Sequence, residues 1–86
     1  MYYVYILRCS DNSLYTGITT DVERRFEEHK AKNKKGAKYT SSRTVVSIEA
    51  VWEVPDRSTA SKLEHQIKKM PKLKKEELII NNKKTP

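Results

Sequence analysis

The sequence holds a single cysteine and no long apolar run, and each absence excludes a class of protein. Because Cys9 is the only cysteine among the 86 residues, no internal disulfide can form. The two histidines, His29 and His65, are well separated, so the usual ligand spacing of a Cys/His zinc site is missing. No stretch approaches the ~20 apolar residues of a membrane span. We therefore interpret Cys9 as a small buried hydrophobic residue and expect no membrane partner.

The short length predicts one domain over residues 1–86. A chain of this size buries only about 60–65% of the surface that its unfolded form exposes, so its core must be small. The sequence has no internal repeat, low-complexity tract or long linker that would divide it. Residues 1–3 lead directly into a predicted strand without the pattern of a secretory signal, so we expect a cytoplasmic protein.

The net charge of +7 is concentrated in two segments. Residues 30–43 contain six Lys or Arg and no acid, residues 68–84 contain seven Lys and two Glu, and the rest carries a net charge of −4. Two basic segments on a slightly acidic body are typical of polyanion binders. Neither segment has a basic amphipathic pattern for a membrane surface, so we expect nucleic acid as the partner. Lysines that serve only solubility are the alternative on charge alone.

The first two segments predict a β-hairpin. Residues 2–9 and 13–19 are rich in aromatic and β-branched types, and residues 10–12 supply turn chemistry between them. Apolar side chains fall on both sides of the first strand, which predicts a sheet covered on both faces by helices. These side chains are Val4 and Ile6 on one side, and Tyr5 and Leu7 on the other.

The next segment predicts a helix that begins with a capping box. Thr20 is the expected N-cap and Glu23 the expected N3 residue, and the helix is expected to end near Lys32. At ~100° per residue, four side chains share one arc of about 100° facing the core. They are Val22, Arg25, Phe26 and His29.

The remaining sequence predicts a loop, a strand and two helices. Residues 33–43 predict an exposed basic loop, and residues 44–54 predict a third strand. An apolar stripe predicts an amphipathic helix from about Arg57, which Pro71 stops or kinks. A last helix is expected over about residues 72–81. The predicted fold is α+β, a small three-stranded β-sheet flanked by helices in the order ββαβαα.

Two short tyrosine motifs, Tyr3-Val4-Tyr5 and Tyr15-Thr16-Gly17, lie on the predicted hairpin. Arg25 follows on the predicted helix, and His29 comes one turn later. Tyrosine and arginine have ordinary pKa values of about 10 and above 12, so they are unusual tools for chemistry near neutral pH. Because guanidinium matches phosphate oxygens in a bidentate way, we interpret this group as a phosphate site.

The two motifs resemble the halves of the GIY-YIG nuclease signature, with Tyr3 and Thr16 as departures from it. Arg25 and His29 stand where the family has its arginine and its following His or Tyr, and Glu64 resembles its metal-binding glutamate. The resemblance covers essentially the whole chain and is strongest to the small stand-alone bacterial members. The chain is also similar to the incision domain of the bacterial excision-repair nuclease and to phage homing endonucleases.

The resemblance implies a role for each residue. Tyr15 is the general base that deprotonates the attacking water, and Tyr5 positions water or phosphate, although the motif leaves open which tyrosine is the base. Arg25 clamps the phosphate. Glu64 holds a single divalent cation, Mg²⁺ or Mn²⁺, which offsets charge on the leaving oxygen. His29 orients the nucleophile or carries a proton. As ordinary residues, the tyrosines would be strand aromatics, Arg25 an ion-pair partner and His29 a surface residue.

The basic loop supplies the expected nucleic-acid contacts. We expect Lys34, Lys35, Lys38 and Arg43 to bind the phosphate backbone. Ile18 stands where several family members carry a lysine, and Lys38 is its candidate replacement.

These observations favour a metal-dependent endonuclease that hydrolyses DNA phosphodiester bonds. A structured or damaged substrate in DNA repair, or targeting by a partner protein, would supply its specificity. Two alternatives remain open. One is a nucleic-acid-binding module of the same fold with little or no catalysis, and the other is an adaptor that uses its basic segments to bind an acidic partner.

Overall fold

The predicted order of elements is confirmed by the computed structural model, which describes residues 1–34 and 45–84. Three strands and three helices follow in the order ββαβαα, so the fold is α+β as expected. The elements are β1 (Tyr2–Cys9), β2 (Leu14–Thr19), α1 (Val22–Lys34), β3 (Val45–Val54), α2 (Arg57–Lys68) and α3 (Lys72–Lys84).

The sheet is antiparallel, with β1 in the centre and strand order β2-β1-β3. The predicted turn joins β1 to β2, where the amide of Asn12 donates to the carbonyl of Cys9 at 2.9 Å. Asn12 has a φ of 70°, a left-handed conformation that asparagine tolerates better than most residues. The register places Tyr5 directly opposite Gly17 on β2, and this pairing gives the Tyr5 ring its space.

Both faces of the sheet are covered, as the pattern of β1 predicts. The core between the sheet and helices α2 and α3 is apolar and contains Val4, Ile6, Ala50, Val54, Ala60, Ile67 and Ile79. Because side chains alternate along a strand, Tyr5 and Leu7 lie on the other face, where α1 packs and where both are almost fully buried. Cys9 is buried as a free thiol, which confirms its interpretation as a core residue.

The start of α1 corrects the predicted capping box by one residue. The Asp21 carboxylate accepts from the amide of Arg24 at 3.1 Å, so Asp21 is the N-cap and the assignment of Thr20 was wrong. Both types are good caps, but the charge of aspartate is additionally favoured by the helix dipole. The helix also extends past Lys32, since residues 31–34 contain neither glycine nor proline.

The later helices follow the predicted boundaries closely. Asp56 caps α2 by accepting from the amide of Thr59 at 2.8 Å, and these contacts lower the pKa of Asp56. The carbonyl of Pro71 accepts from the amide of Lys75 at 3.1 Å, so this proline is the residue that immediately precedes α3. The last helix runs to Lys84 rather than to about residue 81. Within residues 1–34 and 45–84, no helix combines the length and apolar content that a membrane crossing requires.

A charged cluster built on Arg8 joins the turn end of the β1–β2 hairpin to β3 and α3. Its guanidinium donates to the Glu49 carboxylate at 2.5 Å and donates two hydrogen bonds, of 2.6 and 2.9 Å, to the Glu76 carboxylate. A further bond of 2.6 Å reaches Asn12. The Arg8 side chain is only 21% exposed, so water competes weakly for these bonds. Arg8 lowers the pKa of Glu76, so the bond stabilises the fold above the ordinary glutamate pKa and is lost as pH falls below it.

We expect Arg8→Met to lower the free energy of unfolding at pH 7 by about 2 kcal/mol, because it removes the guanidinium that Glu49 and Glu76 share and leaves Glu76 with the more distant ammonium of Lys72 at 3.7 Å. The difference from the wild type should shrink below about pH 4, where those carboxylates become protonated. Urea denaturation at pH 7 and pH 3 measures both effects. Arg24→Met, which removes an exposed cation from α1, is the control and should change stability little. An equal loss at both pH values would contradict the assigned role of Glu76.

Candidate functional site

Two tyrosines and a histidine from three different elements meet on the α1 side of the sheet. The Tyr5 hydroxyl lies 3.4 Å from Nε2 of His29. The ring centroids of Tyr15 and His29 are 5.0 Å apart in an edge-to-face arrangement, and those of Tyr5 and Tyr15 are 6.3 Å apart. The fold therefore brings the three aromatic rings among the five residues predicted as catalytic together in one cluster.

The two tyrosines differ sharply in their access to solvent. Tyr5 lies on the central strand under α1 and is 1% exposed, whereas Tyr15 on the edge strand β2 is 41% exposed. Tyr15 is therefore the tyrosine that can meet a molecule arriving from solvent. The motif alone treats the two hydroxyls alike, but the tertiary structure separates them.

Burial raises the pKa of the Tyr5 hydroxyl, and the charges of Tyr15 and Glu64 add to the effect. The Arg25 guanidinium opposes it by hydrogen bonding to the Tyr5 hydroxyl and by its charge. Because the net shift is upward, Tyr5 keeps its proton at neutral pH and acts as a hydrogen-bonding hydroxyl. It is the weaker candidate for the general base.

Arg25 lies at the edge of the site, as its place on the helix predicts. Its guanidinium donates to the Glu28 carboxylate at 3.1 Å, and its side chain is 33% exposed. Glu28 first, and then Tyr5, raise the pKa of Arg25, so the guanidinium is permanently charged. The ion pair with Glu28 and the contact with Tyr5 coexist, since the guanidinium has five donors.

Glu64 approaches the site from α2. Its side chain is 24% exposed and lies 3.3 Å from the ammonium of Lys68, and its charge contributes to the pKa of Tyr5. In the described part of the chain, no group of three or more His, Cys, Asp or Glu side chains could together hold a metal. One half-buried carboxylate nonetheless fits Mg²⁺, which keeps several waters and takes further ligands from substrate phosphate.

Gly17 is the residue whose role the sequence reasoning missed. It faces Tyr5 across the hairpin, and the Tyr5 ring lies directly over its Cα. A Cβ at this position would clash with the Tyr5 hydroxyl, lie 2.6 Å from Tyr5 Cζ and lie 3.1 Å from Tyr15 Cε2. Glycine therefore makes room for the Tyr5 ring. The role of Gly17 could have been predicted from its pairing with Tyr5, but that pairing is known only once the register of the two strands is known.

The remaining predicted residues do not join this group in the described structure. Ile18 packs against the core beside α2 and α3, on the face opposite Tyr15. Lys34 ends α1, which corrects its predicted place in a loop. The other expected DNA contacts, Lys35, Lys38 and Arg43, lie outside the described residues.

The whole arrangement is that of a GIY-YIG catalytic domain, and the family model of that description matches residues 1–85. The chain belongs to the GIY-YIG family, which confirms the resemblance drawn from its motifs.

This chain covers about three quarters or more of the length of the relatives it matches. It is 53% identical over 78 residues to a UPF0213 protein of Fusobacterium nucleatum, covering 91% of this chain and 76% of that protein. It is 47% identical to a UPF0213 protein of Natronomonas pharaonis, covering 93% and 92% of the two chains. The solution NMR structure of a UPF0213 protein from Bacillus halodurans superposes with a TM-score of 0.62 at 42% identity, over 99% of this chain and 89% of that one.

Proposed function

We propose that this protein is a metal-dependent endonuclease that hydrolyses DNA phosphodiester bonds. The observation that carries the proposal is the cluster of Tyr5, Tyr15 and His29 beside a permanently charged Arg25. A solvent-facing hydroxyl can activate a water, and a fixed cation beside it can offset the charge that develops on a phosphate. Membership of the GIY-YIG family and the two basic segments support DNA as the substrate.

In this proposal, Tyr15 first gives its own hydroxyl proton to His29, and the resulting tyrosinate takes the proton of the attacking water. Tyr15 has this role because it is the tyrosine that substrate can reach. Tyr5 is a positioning residue, since it is almost fully buried and keeps its proton. Its hydroxyl holds the His29 ring and the Arg25 guanidinium in place. His29, in contact with both tyrosines, carries the proton away from Tyr15.

Arg25 clamps the phosphate and offsets the negative charge that grows during attack. Its guanidinium is charged at every relevant pH and presents a fork that matches phosphate oxygens. The exposed Glu28 competes only weakly for this fork, because surface ion pairs contribute about 0–1 kcal/mol.

Glu64 is the residue that would hold the divalent cation, Mg²⁺ or Mn²⁺. When bound, the cation would offset charge on the leaving oxygen. Glu64 itself is suited to the task because it is partly buried near Tyr5 and, among the described residues, forms its ion pair with the exposed Lys68. We further propose that the protein works in the cytoplasm on structured or damaged DNA, with a partner protein supplying targeting.

A catalytically silent DNA-binding module is the second candidate. One observation favours it: both charged residues of the site already have ion-pair partners, Glu28 for Arg25 and Lys68 for Glu64. In a protein that binds DNA without cutting it, Arg25 and Glu64 would stay paired with Glu28 and Lys68.

The deciding experiment is incubation of the purified protein with end-labelled linear, nicked, forked and junction DNAs. Mg²⁺, Mn²⁺ and EDTA are compared for each DNA. We expect cleavage of at least one DNA in the presence of a divalent ion and none in EDTA. Binding without cleavage of any of these DNAs would instead support the silent module.

A further inference from the structure

Glu64 is the sole acidic residue of α2, and two cationic side chains and one hydroxyl lie on the same side of the helix. Seven residues before Glu64 is Arg57, and three residues before it is Ser61. Four residues after it is Lys68. At about 100° per residue, these three lie within roughly 60° of Glu64 around the helix. All three are exposed, so they form one strip, the α2 strip, on a helix that packs against β2, the strand of Tyr15.

The charge of the α2 strip is positive. Arg57 has no ion-pair partner among the described residues, and Lys68 is 53% exposed while it contacts Glu64. The other two lysines beside this helix, Lys62 and Lys69, lie about 140–160° from Glu64 and face away from it. The helix therefore has two cationic faces, of which only one adjoins the site.

The length of the α2 strip suits a nucleic-acid strand. Arg57 and Lys68 are eleven residues apart, which is about 16 Å along the helix axis. A DNA strand carries one phosphate per ~3.4 Å of duplex axis, so a strip of this length laid along the duplex axis spans about five phosphates. Two cations at this separation can contact phosphates on both sides of one held near Glu64.

We propose that the α2 strip binds the DNA backbone that flanks the phosphate at Tyr15. Arg57 and Lys68 would each contact a phosphate, and the Ser61 hydroxyl would donate to one between them. This inference rests on the proposed function for its choice of DNA, but it concerns binding alone. It assigns DNA contacts to α2 in addition to those expected from the basic sequence segment at residues 30–43.

The test compares two double variants of the same helix. Arg57→Gln/Lys68→Gln removes the α2 strip, and Lys62→Gln/Lys69→Gln removes the far face. Each lowers the net charge from +7 to +5. Binding of a fluorescent DNA duplex is followed by anisotropy between about 50 and 200 mM salt. EDTA is present throughout, so no cleavage enters the measurement.

We expect the strip variant to flatten the slope of log K against log salt by about 1.8, at 0.9 per phosphate contact, and the far-face variant by less than half of that. The single variant Arg57→Gln should flatten it by about 0.9 while leaving the Glu64–Lys68 pair intact. Circular dichroism checks that each variant is folded. Equal flattening by both double variants, or no flattening by the strip variant, would overturn the inference.

The outcome is separable from that of the nuclease proposal. If the wild type cuts no DNA but the salt dependence is flattened only in the strip variant, the α2 strip stands as a binding surface and the nuclease proposal fails. A protein that cuts DNA but shows equal slopes for the two double variants would keep catalysis and lose this surface.

Discussion

Tyr15→Phe and Arg25→Ala should each lower the turnover of a cleavable DNA at least ~10²-fold. The first removes the proposed base and the second a donor to the charge that develops on phosphate, and each loss is typically of this size. Single-turnover cleavage measures the chemical step directly. Neither change should unfold the protein, because phenylalanine keeps the exposed ring and Arg25→Ala removes an ion pair with Glu28 and a contact with Tyr5 at the partly exposed edge of the site.

The chain offers a matched control for this prediction in Tyr3. It lies on the same face of β1 as Tyr5, but its hydroxyl donates to the Glu53 carboxylate at 3.3 Å, away from the site. Tyr3→Phe should leave turnover within a few-fold of the wild type. Tyr5→Phe should fall between Tyr3→Phe and Tyr15→Phe, since it disturbs positioning. A larger loss at Tyr5 than at Tyr15 would exchange the roles assigned to them.

Glu64→Gln should abolish binding of a divalent cation at the site while leaving the fold intact. The change keeps the shape of the side chain and removes the charge that attracts the metal. Titration with Mn²⁺, followed by NMR line broadening of residues near Glu64, reports binding without any need for cleavage. Broadening should centre on Glu64 in the wild type and disappear in the variant.

The control for the metal prediction is Glu77→Gln on α3. Glu77, like Glu64, is paired with a lysine on its own helix, with Lys74 at 3.6 Å, so it matches Glu64 in charge and partner but is more exposed. It should not change the broadening around Glu64. Equal Mn²⁺ binding by the wild type and Glu64→Gln would reject Glu64 as the ligand. Loss of turnover with unchanged Mn²⁺ binding would leave Glu64 a role in positioning Lys68.

Local sequence determined the elements well because their causes are local. Aromatic and β-branched runs around a polar turn are sufficient to predict the β1–β2 hairpin, and the apolar stripe ending before Pro71 is sufficient to predict α2. The start of α1 was wrong by one residue. Thr20 and Asp21 are neighbouring good caps, and only the observed bond from Asp21 to the amide of Arg24 distinguishes them.

The partners of residues that contact distant parts of the chain could not be predicted from the sequence, because such contacts depend on how distant segments pack together. Arg8 holds Glu49 and Glu76, which are 41 and 68 residues away, and nothing in the sequence around Arg8 indicates either partner. Gly17 lies under Tyr5 only because the hairpin register pairs the two residues. A shift of one residue would have placed that glycine on the other face of the sheet.

The sequence by itself determined the family and fold of this protein, and it named the residues that meet at the site, because its motifs and periodicities are written within short stretches of chain. Only the tertiary structure decided how those residues differ. Tyr5 is buried on the central strand beneath α1, and Tyr15 is exposed on the edge strand. Burial disfavours the charged form of a hydroxyl, so the packing of α1 on the sheet separates two tyrosines that the motif presents as equivalent.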